Sequence, residues 1–423
     1  MVERSTQLAM TAQPTPPEES TARPARKPHV ALVNTRAELK EFIDLPGNLE
    51  GWSEMGVPVM ADEITKWYRD KGVVPGVRLW LARDPGGRPV GRMVTHRSAM
   101  LNGRLSRGPE ALAPRVRAQL FGAFVAADEV CARELLETVT RMARGVGATH
   151  VFGPCTLLPN SGGVLRSGFE RPGFFNGAWN PQWLPGVLEE SGFSPWHIAD
   201  TWRIDVAAIP EQRAARPTQA EWRAKGLRAR HPSRIKTRKA AMDLLSVLND
   251  SYGQLPYFTR FPRELWQEKL AGLEPILDPD LIVLADDASD GTTVSFSLVL
   301  PDPIRALRAS NGRINYRSTA RFLRAKLKNE TRDAVLVALG THPDAQMQGA
   351  LNLVTREIYA ALKKGGYDHL HVTRISRDNP GAAAVLSKAG GNPEHEIAFY
   401  VKELPADHWS GADEAVAAEG VLG

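Results

Sequence analysis

The feature that most constrains this chain is a strand–helix–strand succession in its last quarter. An apolar strand spans Ala334 to Gly340, a helix with apolar residues at helical spacing spans Leu351 to Lys364, and a second strand spans His369 to Arg374. Such a crossover brings its two strands into parallel pairing. The pattern therefore predicts a mixed α/β sheet with helices packed on it.

The same succession occurs twice along the chain, because each half reads as a hairpin, a strand, a helix, a strand and a short helix. With 423 residues, the chain is long enough for two such domains. We also expect a strand over Asp243–Asn249. The other predicted elements are the strands Arg78–Arg83, Val90–Thr95, Gln119–Phe124 and Thr149–Phe152, the helix Glu129–Met142, and the hairpin strands Leu281–Ala285 and Thr293–Leu300.

Composition sets the limits of these domains. Residues 1–28 are rich in Pro, Thr, Glu and Ala and lack an apolar stretch, so we expect a disordered N-terminal tail. Residues 405–423 are small and acidic, which predicts a flexible C-terminal tail. Between them we predict an N-terminal domain (29–209), a basic linker (210–240) and a C-terminal domain (241–404). No apolar run reaches the length of a membrane span, so no membrane partner is expected.

The two cysteines, Cys131 and Cys155, lack the spacing of a metal site. Two reduced structural thiols are typical of a cytoplasmic protein, and no metal is predicted.

The net charge of +5 comes from one segment, Trp222 to Lys239, which has no acidic residue. One interpretation of this segment is a solvated surface; the other is a site that binds phosphates such as those of tRNA. Its basic residues are Arg223, Lys225, Arg228, Arg230, Arg234, Lys236, Arg238 and Lys239.

A turn joins the Ala334 strand to the following helix, and Asn379-Pro380-Gly381-Ala382 follows the second strand. This order resembles the GCN5-related N-acetyltransferase (GNAT) superfamily, whose pyrophosphate loop reads Arg/Gln-x-x-Gly-x-Gly/Ala. Gln346 and Gly349 match the first two motif positions, and Leu351 replaces the third. The resemblance implies two tandem acyl-CoA N-acyltransferase folds, with acetyl-CoA or another acyl-CoA bound by the second. The implied cofactor-binding residues are Leu339, Gly340, Thr341, Gln346, Met347, Gln348, Gly349, Ala350, Leu351 and Asn379.

Catalytic roles are less constrained by the pattern. Many relatives carry a Tyr that protonates the departing thiolate, and Leu386 stands at that position here. Asn379 is either a helix cap or a site residue. A base for the amine is also required, and Asp302, His371 and Glu170 are candidates that spacing does not separate. We predict Asn379, Asp302 and His371 as catalytic residues.

The segment from Phe152 to Phe193 is rich in aromatic residues, Gly and Pro. Its pattern resembles the YghO-like group of bacterial tandem-GNAT proteins, in which the first domain lacks a phosphate loop. Only Ala126-Ala127-Asp128-Glu129 is available for such a loop here, without a glycine. We expect the aromatic segment either to cover the sheet or to form a substrate wall. Its predicted substrate-binding residues are Asn160, Phe174, Phe175, Trp179, Asn180 and Trp183.

Three functions follow from these observations. The first is acyl transfer from a CoA-type thioester to a small-molecule amine or amino-acid-like acceptor, in the biosynthesis of a specialised metabolite. The second is an aminoacyl-tRNA-dependent amide-forming transferase that uses the basic segment. The third, favoured by Leu351 and Leu386, is a degenerate scaffold that binds a ligand or partner without catalysis.

Overall fold

A single large sheet organises the protein. The structure is a computed structural model and describes residues 27–70, 76–156, 162–233, 236–328 and 330–405. In the sheet the strand order is β1-β2-β3-β4-β5-β13-β7-β12-β11-β10-β9-β8, and β6 pairs with β13. The strands are β1 (His29–Leu32), β2 (Arg78–Arg83), β3 (Pro89–His96), β4 (Ala118–Ala126), β5 (His150–Gly153), β6 (Val164–Leu165), β7 (Ser194–Asp205), β8 (Leu227–Arg230), β9 (Ile282–Asp287), β10 (Thr293–Pro301), β11 (Asp333–Thr341), β12 (His369–Ser376) and β13 (Asn392–Glu403).

Helices cover both faces of this sheet. They are α1 (Arg36–Asp44), α2 (Trp52–Met55), α3 (Ala61–Arg69), α4 (Ala99–Leu105), α5 (Glu129–Gly145), α6 (Leu184–Glu190), α7 (Glu211–Ala214), α8 (Gln219–Ala224), α9 (Thr237–Asp243), α10 (Leu245–Ser251), α11 (Arg263–Leu273), α12 (Ile304–Arg308), α13 (Tyr316–Leu327), α14 (Ala350–Gly365) and α15 (Pro380–Ser387). Among the residues that the structure describes, no helix is long and apolar enough to cross a membrane.

The predicted crossovers are confirmed in both halves. Helix α5 joins β4 to β5, and the two strands pair in parallel from Ala118 opposite His150. Helix α14 joins β11 to β12 in the same way, from Asp333 opposite His369. The long apolar helices predicted from their spacing are also present, because α5 and α14 each bury one face against the sheet. The fold is thus the predicted mixed α/β arrangement in two tandem units.

The two halves exchange strands at the centre of the sheet. The last strand of the chain, β13, lies between β5 and β7 of the first half, and β7 lies between β13 and β12 of the second half. The sheet is therefore continuous across both halves. The predicted linker, residues 210–240, contains α7, α8 and β8, and β8 pairs with β9 at the far edge of the sheet.

The predicted strand over Asp243–Asn249 is wrong, because this segment is helical in the structure. It spans the end of α9 and most of α10. Leu244, Leu245, Val247 and Leu248 recur at helical spacing and pack with Phe296 and Leu298 of β10 in one apolar cluster. A short apolar run is compatible with either structure, and here packing on one face of the second-half sheet favours the helix.

Opposite faces of the second-half sheet carry different helices. On one face, Leu336 of β11 and the alternating residues Leu370 and Val372 of β12 pack against α14. On the other face, strand residues that include Ile282 and Leu284 pack against α9, α10 and α11. Side chains therefore project from β12 alternately towards α14 and away from it. His369 and His371 belong to the face away from α14, which is the face that meets the first half.

Arg308 links this face to the first half directly. Its Nε donates to the carbonyl of Gly56 at 2.8 Å, and its guanidinium also donates to the carbonyls of Met55, at 3.0 Å, and Gly173. One side chain of α12 thus contacts both the end of α2 and the aromatic segment.

Candidate functional site

The N-terminus of α14 is open to an anionic ligand. Gly349 precedes the helix in the left-handed conformation, with φ of 79°. The N-cap residue, Gly349, has no side chain with which to cap the helix, and the first turn of α14 holds no acidic residue. The corresponding helix of the first half is different, because the Asp128 carboxylate accepts a hydrogen bond from the Cys131 N–H there. Free N–H groups and the helix dipole favour an anion at α14, whereas a carboxylate already fills this place at α5.

Lys225 adds a positive charge at this position. Its Nζ lies 3.9 Å from the place where a Cβ atom on Gly349 would stand. The residue ends α8 and belongs to the predicted basic segment. An exposed ammonium beside an uncapped helix N-terminus strengthens the attraction for phosphate groups.

The rest of the basic segment does not form a common surface with Lys225. Arg230 pairs with Asp286 and Asp243, Arg238 pairs with Glu274, and Lys239 pairs with Asp243. Arg228 lies 3.9 Å from the Asp286 carboxylate. These pairs hold the segment on its own half of the protein, so the geometry gives the tRNA interpretation no support. Arg223 and Lys236 are exposed, and Arg234 lies outside the described residues.

Strands β11 and β12 separate halfway along their length. Their pairing runs from Asp333 to Leu336 and then ends, while β11 continues beside β10 to Thr341. In the unpaired part, the Tyr252 hydroxyl accepts a hydrogen bond from the Leu339 N–H at 3.1 Å and donates one to the Leu339 carbonyl at 3.3 Å. Burial raises the pKa of Tyr252 to about 12. The open edge of β11 therefore carries a protonated phenol from α10.

Apart from Asn379, the residues predicted to bind the cofactor form one continuous path. Leu339, Gly340 and Thr341 end β11, a 3₁₀ helix spans Pro343–Gln348, and Gly349, Ala350 and Leu351 begin α14. Thr341 bonds the Ser295 hydroxyl at 2.8 Å, and Leu351 is partly exposed in the first turn. The backbone of Gln346, Met347 and Gln348 belongs to that 3₁₀ helix.

A second cluster lies on the face of β12 away from α14. His371 Nδ1 bonds the Glu394 carboxylate at 2.8 Å, and the Phe174 ring stacks on the imidazole with centroids 4.7 Å apart. Asp302 is buried and accepts hydrogen bonds from the N–H groups of Ile304, at 2.9 Å, and Phe175, at 3.4 Å. The structure thus brings together Asp302, His371, Phe174 and Phe175, all of them predicted site residues.

Burial and charge shift the pKa values in this cluster. Burial raises the pKa of Asp302 to about 6, although the backbone bond and the His371 charge oppose this shift. Burial lowers the pKa of His371, but the hydrogen bond and charge of Glu394 outweigh it, so the net shift is upward. Neutral pH therefore lies close to the pKa of Asp302, so this carboxyl group can both bind and release a proton. Such a group is suited to accepting a proton.

The other predicted site residues make structural contacts. Asn379 caps α15 by accepting from the Ala382 N–H at 3.1 Å, beyond the opposite end of β12 from His371. Asn180 is buried and bonds both backbone groups of Leu165. Trp179 packs edge-on against Trp52, and Trp183 packs beside the first-half core. Glu170 is exposed, and Asn160 lies outside the described residues.

Two other sets of titratable residues are the buried cysteine thiols and a cluster of one histidine and two acidic residues. Burial raises the pKa of both Cys131 and Cys155 to about 12, so both are protonated thiols. In the part of the chain that the structure describes, Glu110, His197 and Asp378 form one group with ligand atoms within 4.8 Å of one another. His197 Nδ1 already bonds the Glu110 carboxylate at 2.8 Å.

Tyr252 and Glu394 were not predicted from the sequence. Tyr252 lies in a loop-like aromatic stretch, and nothing in its spacing relates it to β11. Glu394 begins a strand that pairs with the other half of the protein. Because β13 itself was not predicted, no sequence signal selects Glu394 or identifies His371 as its partner.

Comparison with known proteins gives a result for the fold alone. No protein-family model and no curated protein sequence matches the chain. A GCN5-related glucosamine N-acetyltransferase region of a fungal multi-domain GH3 β-N-acetylglucosaminidase matches 90% of this chain with 11% identity and a TM-score of 0.53; the match spans 38% of that longer chain. A tandem GNAT protein from the clavulanic acid biosynthesis pathway matches with 12% identity and a TM-score of 0.52, over 89% of this chain and 98% of its own. The fold of this chain is that of the tandem GNAT proteins.

Proposed function

We propose that this protein transfers an acyl group from a CoA-type thioester to an amine. The observation that carries the proposal is the uncapped N-terminus of α14, with Gly349 before it and Lys225 beside it. It lies where β11 leaves its parallel partner, in a fold shared with a tandem GNAT protein. An anion site at the end of a separated strand suits a ligand with a pyrophosphate and a long arm.

The donor site would be formed by the second half. The N–H groups of the first turn of α14 and the Lys225 ammonium would hold the phosphates. Leu351 would leave the phosphates less room to approach the first turn of α14 than the Gly or Ala of the family motif would. When bound, the thioester supplies an acyl carbon activated for attack by an amine.

We assign the general acid to Tyr252. Leu386, which stands at the family's usual tyrosine position, is buried in the core with α14 and has no proton to give. The Tyr252 hydroxyl reaches the unpaired edge of β11 from α10 and is protonated at neutral pH. Tyr252 Oη would therefore donate its proton to the departing thiolate.

We propose Asp302, with His371 beside it, as the general base; this pair lies at the Asp333 end of β11, whereas Tyr252 contacts Leu339 near the other end, so the amine proton would be relayed to Asp302 rather than passed to it directly. A carboxylate with a pKa of about 6 is largely ionised at pH 7, and it accepts a proton more readily than an ordinary aspartate. Glu394 holds the imidazole of His371 in place, and Phe174 covers it. The acceptor amine would enter from the face where Phe174 and Phe175 of the first half meet β12.

A non-catalytic scaffold is the second candidate, because Tyr252 already occupies both backbone groups of Leu339. The two candidates differ in one result: turnover with any acyl thioester excludes the scaffold. The assignment to the YghO-like group, a specialised pathway and a cytoplasmic location stay predictions from the sequence.

Calorimetric titration with coenzyme A and acetyl-coenzyme A tests the donor site. We expect binding by the wild type and a loss of about 5- to 30-fold in affinity for K225A, the equivalent of one charge-assisted contact of about 1–2 kcal/mol. R223A is the matched control, since Arg223 is exposed on the same helix and should leave affinity unchanged. No binding at millimolar concentration, or an equal loss in both variants, would refute the site.

A further inference from the structure

Helix α13 exposes an apolar stripe that nothing in the described structure covers. The helix packs on the protein through Ser318 and Phe322, which are buried. On its opposite side Tyr316 is 75% exposed, Leu323 43% and Leu327 87%. These are three of the six large apolar side chains that are exposed in the described residues. Isolated exposed apolar residues are ordinary, but three on one line mark an interaction surface.

The spacing of the stripe fits a second helix. Tyr316, Ala320, Leu323 and Leu327 are separated by four, three and four residues, which is the alternation of the a and d positions in a coiled coil. On a helix these four positions fall within about 60° of one another. An apolar face this narrow favours a helical partner over a membrane surface, which requires a broader face.

Basic residues follow one edge of the stripe. Arg317, Arg321, Arg324 and Lys328 are exposed on the same flank, between about 80° and 140° from the stripe's first residue. Among the described residues, no carboxylate forms a salt bridge with the three arginines, and Lys328 lies 3.9 Å from Glu330. Helix α13 contains no acidic residue. A second copy of α13 would bring no carboxylate to these arginines, and in an antiparallel pair it would set arginine against arginine, so the charges disfavour a symmetric pairing of two chains.

We propose that α13 is a docking site for an amphipathic helix of a partner protein. The partner helix would present apolar residues at its own a and d positions to Tyr316, Ala320, Leu323 and Leu327. Along one edge it would carry acidic residues opposite the arginine flank. The proposal is independent of acyl transfer. Because α13 packs on α12, which follows Asp302, the partner would bind beside the Asp302 end of the sheet and leave the α14 N-terminus open.

Two labelled synthetic helices test the proposal in solution with the full chain. Each has three heptads with Leu at a and d; one carries Glu at e and g, the other Lys. Fluorescence anisotropy at about 50 mM salt should show at least about tenfold tighter binding of the Glu peptide, with the preference shrinking as salt screens the charges. L323S/L327S should abolish binding, and R317E/R321E/R324E should reverse the preference.

Controls distinguish docking at α13 from other causes. V146S removes an exposed apolar residue at the C-cap of α5 and should leave peptide binding unchanged. All the variants alter exposed side chains, so their thermal midpoints should match the wild type. The proposal is overturned if neither peptide binds or if binding of the Glu peptide survives both variants. It is also overturned if anionic phosphatidylglycerol vesicles, rather than the peptide, bind in a manner that L323S/L327S abolishes.

Discussion

The hydroxyl of Tyr252 has two separable consequences, and Y252F measures both. Removing it leaves the N–H and the carbonyl of Leu339 without their partner at the unpaired edge of β11. Each unpaired buried backbone group lowers the free energy of unfolding by about 1–3 kcal/mol. Water that enters from the open side of the strand offsets part of this loss for the N–H and the carbonyl of Leu339. We expect the free energy of unfolding to fall by about 1–3 kcal/mol in total. If Tyr252 is also the general acid, the rate of thiol release falls by about 100-fold or more.

Urea unfolding and a thiol-release assay separate these two effects. Y400F is the matched control, since it removes one hydroxyl bond, to Glu189 at 3.1 Å, on the first-half side of the sheet. We expect Y400F to lower stability by about 0.5–1.5 kcal/mol and to leave the rate unchanged. Full activity in Y252F would refute the acid role, whatever happens to stability. Unchanged stability would refute the hydrogen bonds on which the argument rests.

Four further predictions concern the second cluster and the contact between the halves. The rate of acyl transfer should rise with pH through about 6, where Asp302 ionises, and D302N should abolish that limb of the profile. Because the pKa of Asp302 is raised, the folded state disfavours its ionised form. In urea titrations, the free energy of unfolding of the wild type should therefore fall relative to that of D302N as pH rises from about 4 to 6. E394Q should lower the pKa of His371 in an NMR titration. The stability that this pair contributes is present below about pH 6.5 and is lost as pH rises through the raised pKa of His371; at acidic pH it is lost again as Glu394 is protonated at its lowered pKa. R308A should destabilise the protein by about 2–4 kcal/mol, because three buried carbonyl contacts are lost, while R305A should be near neutral; equal effects in urea unfolding would contradict this.

The elements predicted correctly are those whose contacts are local. Helices α5 and α14 carry a long apolar stripe, and the hairpin of β2 and β3 has a Pro-Gly-Gly turn, so each pattern is complete within its own segment. Strands β7 and β13 were not predicted, although they lie at the centre of the sheet. Their register shifts repeatedly, and His197 in β7 has a positive φ, so neither shows a clean alternation.

The same distinction applies to the candidate site. The path from Leu339 to Leu351 could be predicted because strand, turn and helix follow one another in the chain. Asp302 and His371 could be named only among several equal candidates, and Glu394 and Tyr252 could not be named at all. Each of these four acquires its role from a partner far away in sequence: Asp302 from Phe175, His371 from Phe174, Tyr252 from Leu339 and Glu394 from His371.

The strand exchange makes each half structurally dependent on the other. Because β7 pairs with β12 and β13 pairs with β5, neither half can complete its sheet alone. The exchange also brings Phe174 and Phe175 onto the second-half residues His371 and Asp302. Asp302 is buried where Phe175 contacts it, and this burial raises its pKa. The first half therefore contributes strands and side chains to the proposed site although Asp128 fills the N-terminus of α5, and the proposed chemistry requires both halves even though the second would bind the donor.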